Sequence, residues 1–383
     1  GMTVVTLALI RQPQARQAWL VLIGLVFTSM LRVYSFKLNF HPAGPQTDTG
    51  MVTEYATQTL AHGQNPYAWN FDFLRVYRAS PSYVTPHLNG TIQNRASYPA
   101  LTYLLFWGTA SLGLSVADTA FICLVLMLIS LFVATSPTWR PLVLLPLFMV
   151  GDYIHSALVG NQDIIFSVLL TYMLIAWSRP GWRATLFGLA CAFRQQSWFV
   201  APFLLIYMWN EPDTMAERRR QIAHFITISV GVFVLVNLPF ILWDPRAWWL
   251  GVFEHSYASF NVYSHGLGTL SQYGLVPFPR QFYTVLQISS FVIMLSIHWR
   301  HPQFVGQAFW IFPATFFWLY YRGLTNYWVY WIPPLLLALT NRLAREPSVR
   351  DWPEQVRLTT TKLPLLRWIG TAALAVSLLV PNL

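Results

Sequence analysis

Long apolar runs alternate along this chain with short basic turns, and the alternation is interrupted once, early, by a polar and aromatic stretch from His41 to Pro99. The runs are too long and too uninterrupted for soluble helices, and the pattern predicts membrane crossings. They are Trp19 to Tyr34, Val116 to Ala134, Leu142 to Leu158, Ile164 to Trp177, Ile222 to Trp243, Phe282 to Trp299, Phe304 to Tyr321, Tyr327 to Leu339 and Trp368 to Val380. The 26 residues from Ala184 to Trp209 read as two short helices meeting near Arg194 to Ser197. Tyr98 to Leu114 is placed on the outer surface, because a crossing there would put Arg140, Arg179 and Arg183 outside.

Composition sharpens this. The chain is 55% hydrophobic and 16% aromatic, with only 10% charged residues, against about 25% in soluble domains. The net charge of +10 is carried by Arg, Lys occurring only at Lys37 and Lys362. In a membrane protein such a balance marks cytoplasmic loops rather than nucleic-acid binding. Arg11 and Arg16 put the N-terminus in the cytoplasm, and Arg342, Arg345, Arg350, Arg357, Lys362 and Arg367 put the last loop there. The expectation is an all-α polytopic protein with about eleven crossings. It forms one domain over 1–383, with a first outer loop at about 37–114 carrying juxtamembrane helices and a second at about 244–279. Gly1 before Met2 reads as a tag scar, and the first run as an anchor rather than a cleaved signal.

A polar loop this long in a compact protein carries a site, a lid or disorder, and disorder fits poorly with so many Tyr, Trp and Phe. Its acids are therefore candidates. Asp48 precedes a helical pattern in which Met51, Tyr55 and Leu60 share a face, so it serves as a helix-terminal charge, a catalytic carboxylate or both. Glu54 follows one to two turns later. Asp152 and His155 lie within a turn of each other in an apolar run, as a functional or a structural pair, and Asp244 before Pro245 reads as a turn residue. Arg194, flanked by Gln195 and Gln196, lies deep in an apolar run, where a guanidinium needs a polar partner or a cavity; such a group can hold a phosphate bidentately. Arg322 is a similar candidate at an interface, and His255 and His265 are candidate donors in the second outer loop. Cys123 and Cys191 sit in apolar runs and suggest no disulfide or metal site. No Gly-rich phosphate loop or nucleophile elbow is present, and the dissimilar outer loops argue against a transporter of two related halves.

Several stretches together resemble one family: Asp48…Tyr55…Leu60…Gly63-Gln64-Asn65-Pro66-Tyr67, then Tyr98-Pro99-Ala100-Leu101, Gly160-Asn161-Gln162-Asp163, Gly188-Leu189-Ala190…Arg194 and Asn237-Leu238-Pro239-Phe240…Asp244-Pro245. The order is similar to that of the polyprenol-phosphate-sugar-dependent glycosyltransferases of the GT-C class, in their bacterial mannosyltransferase-like branch, over about the first two thirds of the chain. The resemblance implies a GT-C-type fold with the site facing the periplasm, in the bacterial inner membrane. It implies inverting transfer of a hexose or pentose such as mannose from a polyprenyl-phosphate-linked donor to a lipid or glycan acceptor. Asp48 takes the place of the general base, with Glu54 as the alternative acid because Asp48 is one residue out of the family's spacing. Arg194 takes the place of the donor-phosphate residue; Arg322 stays a second, weaker donor-phosphate candidate from its own sequence position, and Tyr55, Tyr98, Gln162, Asp163, Gln195, Gln196, His255 and His265 are the substrate-binding candidates. Asn161 interrupts the family's Gly-Gln, and Ala100 stands where it has a second Pro. The expected partners are donor, acceptor and membrane lipids, with no nucleic acid. No cofactor is expected, a divalent metal being the alternative to the Arg clamp. The rival reading is a transporter or flippase of a lipid-linked saccharide.

Overall fold

The computed structural model describes residues 47–71, 85–135, 140, 143, 157, 160–212, 214–254 and 260–345, the side chains through Thr340. The expected crossings Trp19 to Tyr34 and Trp368 to Val380, most of Leu142 to Leu158, and the residues Asp152, His155 and His255 lie outside these. The chain divides into a unit ending at Thr340 and a second, Asn341–Leu383; the cores and the candidate site belong to the first.

The described residues are helical, with isolated β-bridges as their only extended pairing. The helices are α1 Asp48–Ala61, α2 Leu101–Ala110, α3 Val116–Ala134, α4 Ile164–Ile175, α5 Pro180–Phe193, α6 Ala201–Trp209, α7 Met215–Trp243, α8 Pro245–Val252, α9 Arg280–Arg300, α10 Phe312–Trp318 and α11 Ile332–Arg345, joined by shorter turns. Three of them, α3, α7 and α9, are long and apolar enough to cross a membrane. At 19, 29 and 21 residues and about 1.5 Å per residue, each reaches the roughly 30 Å of a hydrocarbon core or comes close to it.

Local sequence explains the ends. Ser115 opens α3 with a capping box, its hydroxyl accepting from the Asp118 N–H at 3.1 Å while the Asp118 carboxylate accepts from the Ser115 N–H at 3.2 Å. This fixes Asp118 as a cap. Thr214 caps α7, and Asp244 caps α8 by accepting from the Ala247 N–H at 2.9 Å. The expected junction between two short helices falls at Arg194, which ends α5 in an extended conformation (φ −144°, ψ 136°) before a 3₁₀ turn, Gln195–Val200, leads into α6. The first of the pair starts earlier than expected, at Pro180, since Pro suits the first helical position. Residues 98–114 form only a ten-residue helix, α2, about 15 Å long and too short to cross.

Two expected crossings are broken. Phe304 to Tyr321 is a short turn of helix, Pro302–Val305, a 3₁₀ segment, Gly306–Ile311, and then α10. Gly306 takes φ +46°, which few side chains tolerate, and Pro313 restarts the helix. Tyr327 to Leu339 divides into Asn326–Val329 and α11, whose second and third residues are Pro333 and Pro334. A ring that lacks an N–H and clashes with the preceding turn cannot continue a helix through Tyr330.

The main core joins α3, α4, α5, α6 and α10 through Phe166, Phe187, Phe203, Trp310, Phe316 and Trp331. The close approach of α5 and α7 depends on Gly188, where an added Cβ would lie 2.6 Å from the Ser229 carbonyl oxygen. The Ser229 hydroxyl donates back to the Ala184 carbonyl at 2.9 Å, the small-residue packing of helices that have no hydrophobic force between them in lipid. A second core gathers α1, α2, α8 and the end of α7 through Met51, Ala56, Tyr103, Phe240 and Trp248. Asn237, fully buried in α7, ties these parts together: its Oδ1 accepts from the Ala100 N–H at 2.9 Å and the Trp248 indole at 3.1 Å. The site rests on this second core.

Candidate active site

Thr47 caps α1 by accepting from the Gly50 N–H at 3.1 Å, so Asp48 is the first residue of the helix. A carboxylate there is favoured by the aligned peptide dipoles. Its Oδ1 accepts from the Thr49 N–H at 2.7 Å, its Oδ2 accepts from the Thr85 hydroxyl, and the side chain stays partly exposed. Terminal charge and accessible carboxylate are thus the same group.

Thr85 opens a turn closed by the Gln93 N–H on the Thr85 carbonyl at 2.8 Å. Its hydroxyl also accepts from Arg322 Nη2 at 2.5 Å. Arg322 follows α10, is 6% exposed and lies over the Phe260 ring at 5.3 Å. Its Nε and Nη1 make no hydrogen bond among the described residues, leaving a buried cation with donor capacity to spare beside a carboxylate.

On the other side of Asp48, the Thr49 hydroxyl meets Tyr98 Oη at 3.1 Å, and the Arg194 guanidinium stacks on the Tyr98 ring at 3.4 Å. Arg194 is fully buried and pairs through Nε with Asp163 Oδ1 at 2.5 Å, while Asn326 donates to the other Asp163 oxygen. Gly160, at φ +80°, and the Asn161 side chain, accepting from the Asp163 N–H at 3.0 Å, turn the chain so that Asp163 enters at the start of α4. Gln162 Nε2 reaches the Thr49 carbonyl at 3.2 Å. Arg322 and Asn326, four residues apart, therefore hold the two halves of one network: Arg322 to Asp48 through Thr85, and Asn326 to Asp163.

Of the candidates from sequence, Asp48, Tyr98, Gln162, Asp163, Arg194 and Arg322 come together here. His265 is near, with Nδ1 2.6 Å from the Thr325 hydroxyl and its N–H on the Gly323 carbonyl at 2.9 Å. Others stand apart. Tyr55 packs on Phe71 with ring centroids 4.7 Å apart. Gln195 donates to the Ser97 and Val252 carbonyls at 2.7 and 2.8 Å, bracing backbone rather than facing Asp48. Gln196 is buried with its Oε1 unpartnered among the described residues. Glu54 is half-buried on α1, its carboxyl raised by burial, and no hydrogen bond joins it to Asp48.

Thr85 and Asn326 escape sequence reasoning, being neutral side chains of common type without a characteristic spacing. Glu254, an acid of the second outer loop, gives no signal in the sequence beyond its charge. It is buried, accepts from Gln93 Nε2 at 3.0 Å, and burial pushes its carboxyl up to about 7 against the opposing pull of Arg95. Among the described residues no three His, Cys, Asp or Glu side chains are grouped to hold a metal ion.

The arrangement offers an accessible carboxylate for proton transfer, a guanidinium with open donors next to it for an anion, and, on the other side of the carboxylate, a buried ion pair whose guanidinium lies over the Tyr98 ring. Compared with known protein families, characterised proteins and solved structures, the chain matches none.

Proposed function

We propose that this chain is an integral-membrane glycosyltransferase that moves one hexose or pentose, such as mannose, from a polyprenyl-phosphate-linked donor to a lipid or glycan acceptor, with inversion. The observation that carries the reading is the single hydroxyl of Thr85, which joins the Asp48 carboxylate to the Arg322 guanidinium. Outside the cytoplasm there are no nucleotide sugars, so a transferase there needs a lipid-carried donor, and its reaction needs a base and a cation close together. The acceptor oxygen attacks the anomeric carbon while Asp48 takes its proton. The bond from that carbon to the phosphate oxygen breaks, and the polyprenyl phosphate departs with the electron pair. Arg322 stabilises the charge gained by the phosphate.

Arg194 is assigned a positioning role, because it is fully buried, pairs through Nε with Asp163 and lies over the Tyr98 ring. The topology that goes with this reading is a GT-C-type fold of about eleven crossings in the bacterial inner membrane, with the N-terminus cytoplasmic and the site periplasmic. The test is incubation of purified protein with a synthetic polyprenyl-phosphate sugar and an acceptor lipid extract, followed by analysis of new glycosidic bonds. Movement of the lipid-linked sugar across a vesicle with no new bond would favour the transporter reading instead.

A further inference from the structure

A cleft of about 210 Å³ lies between the start of α8 and the extended segments that pair at Asn70 and Arg95, with Tyr67, Asn70, Arg95, Asp244, Arg246 and Leu250 on its walls. The volume is below the roughly 300–1,000 Å³ of sites for whole small molecules, which suits a headgroup whose remainder lies elsewhere. Arg95 is held in place by Asn70, its Nε donating to Asn70 Oδ1 at 2.8 Å. Among the described residues neither Arg95 nor Arg246 is in an ion pair. The floor is fixed, since α8 approaches so closely at Gly251 that an added Cβ would collide with the Ala96 carbonyl oxygen.

The surroundings point to lipid. The cleft opens where the apolar helix α7 ends, and Leu242, Trp243 and Trp249 are exposed around that end. Indole rings of this kind favour the boundary between hydrocarbon and water. Helix α8 buries Trp248 and Val252 and exposes Arg246 and Trp249, the division expected of a helix lying in that boundary. On the walls of the cleft, two guanidinium groups and one carboxylate, Asp244, leave one net positive charge, which a phosphodiester monoanion neutralises; Glu254, the other carboxyl that feels Arg95, lies outside these walls and has its ionisation opposed by burial.

We infer that this cleft binds the phosphodiester headgroup of an anionic membrane lipid through Arg95 and Arg246. The inference does not depend on the glycosyl-transfer reading. The test is native mass spectrometry of the detergent-purified full chain titrated separately with phosphatidylglycerol, phosphatidylcholine and glycerol 3-phosphate, with Arg246→Gln and Arg95→Gln/Arg246→Gln alongside. Phosphatidylglycerol is expected to form the retained adduct, about tenfold weaker in Arg246→Gln and weaker again in the double variant. Arg246 is exposed, so the single variant tests the site without burdening the fold. Equal retention of phosphatidylcholine, or equal affinity of the wild type and both variants, would overturn the site. Glycerol 3-phosphate binding as tightly as phosphatidylglycerol would overturn its assignment to lipid.

Discussion

Arg322 and Asp48 share the hydroxyl of Thr85: the guanidinium donates to it and the carboxylate accepts from it. One side chain thereby sets the separation of the proposed proton acceptor and the proposed phosphate clamp. Thr85→Val, which preserves shape and removes the bridge, should lower turnover by about tenfold, the size of a lost hydrogen bond to a charged group, while Thr85→Ser retains most of it. Equal rates in Val and Ser variants would show that the bridge has no part in the reaction.

Arg322 has two nitrogens without partners among the described residues. Arg322→Gln should weaken the response to donor, raising the donor concentration needed for half-maximal rate by at least about tenfold, on the order of a lost charge-assisted contact. Saturation curves that superimpose on the wild type would remove Arg322 from donor binding.

Arg194 and Asp163 are both buried, and an ion pair in that position is sensitive to loss of one member. Arg194→Met alone should destabilise the protein by about 3–5 kcal/mol by leaving Asp163 uncompensated, and Arg194→Met with Asp163→Leu should recover much of that. Apparent Tm in detergent measures both. A double variant no more stable than the single one would contradict the assignment of Arg194 to positioning.

Glu254 gives a pH dependence of known sign. Its carboxyl is raised from 4.5 to about 7 by burial, so the folded state binds the proton more tightly than the unfolded state. The associated stability is present in full below pH 4.5 and is lost as pH rises to about 7, on the order of 3 kcal/mol across the window. Apparent Tm of the wild type should therefore fall between about pH 5 and 7.5 more steeply than that of Glu254→Gln. Parallel curves would show that the carboxyl is not held protonated.

Apolar runs bounded by a capping residue or a helix-breaking one are legible in the sequence: α3 and α9 stand close to their expected limits, α7 ends at Trp243 as expected but starts at Met215 rather than Ile222 because its polar first turns are helical too, and the break at Arg194 is visible because Arg, two Gln and a Pro interrupt an otherwise apolar run. The breaks at Gly306 and Tyr330 are not, since hydropathy averages over Gly and Pro while backbone geometry does not. The charged members of the site can be named because charge is rare in this chain. Thr85 and Asn326 cannot, since their positions depend on how segments far apart in sequence are brought together. Gln195 shows the reverse error: a polar side chain beside a candidate site can be engaged wholly with backbone carbonyls.

The most direct test is the transfer rate of Asp48→Asn with a synthetic polyprenyl-phosphate sugar, measured with donor binding. The amide keeps the shape and can still accept from Thr85, but it is not a base, so transfer should fall by about 100-fold or more while donor binding is retained. Full transfer activity in Asp48→Asn would contradict the account.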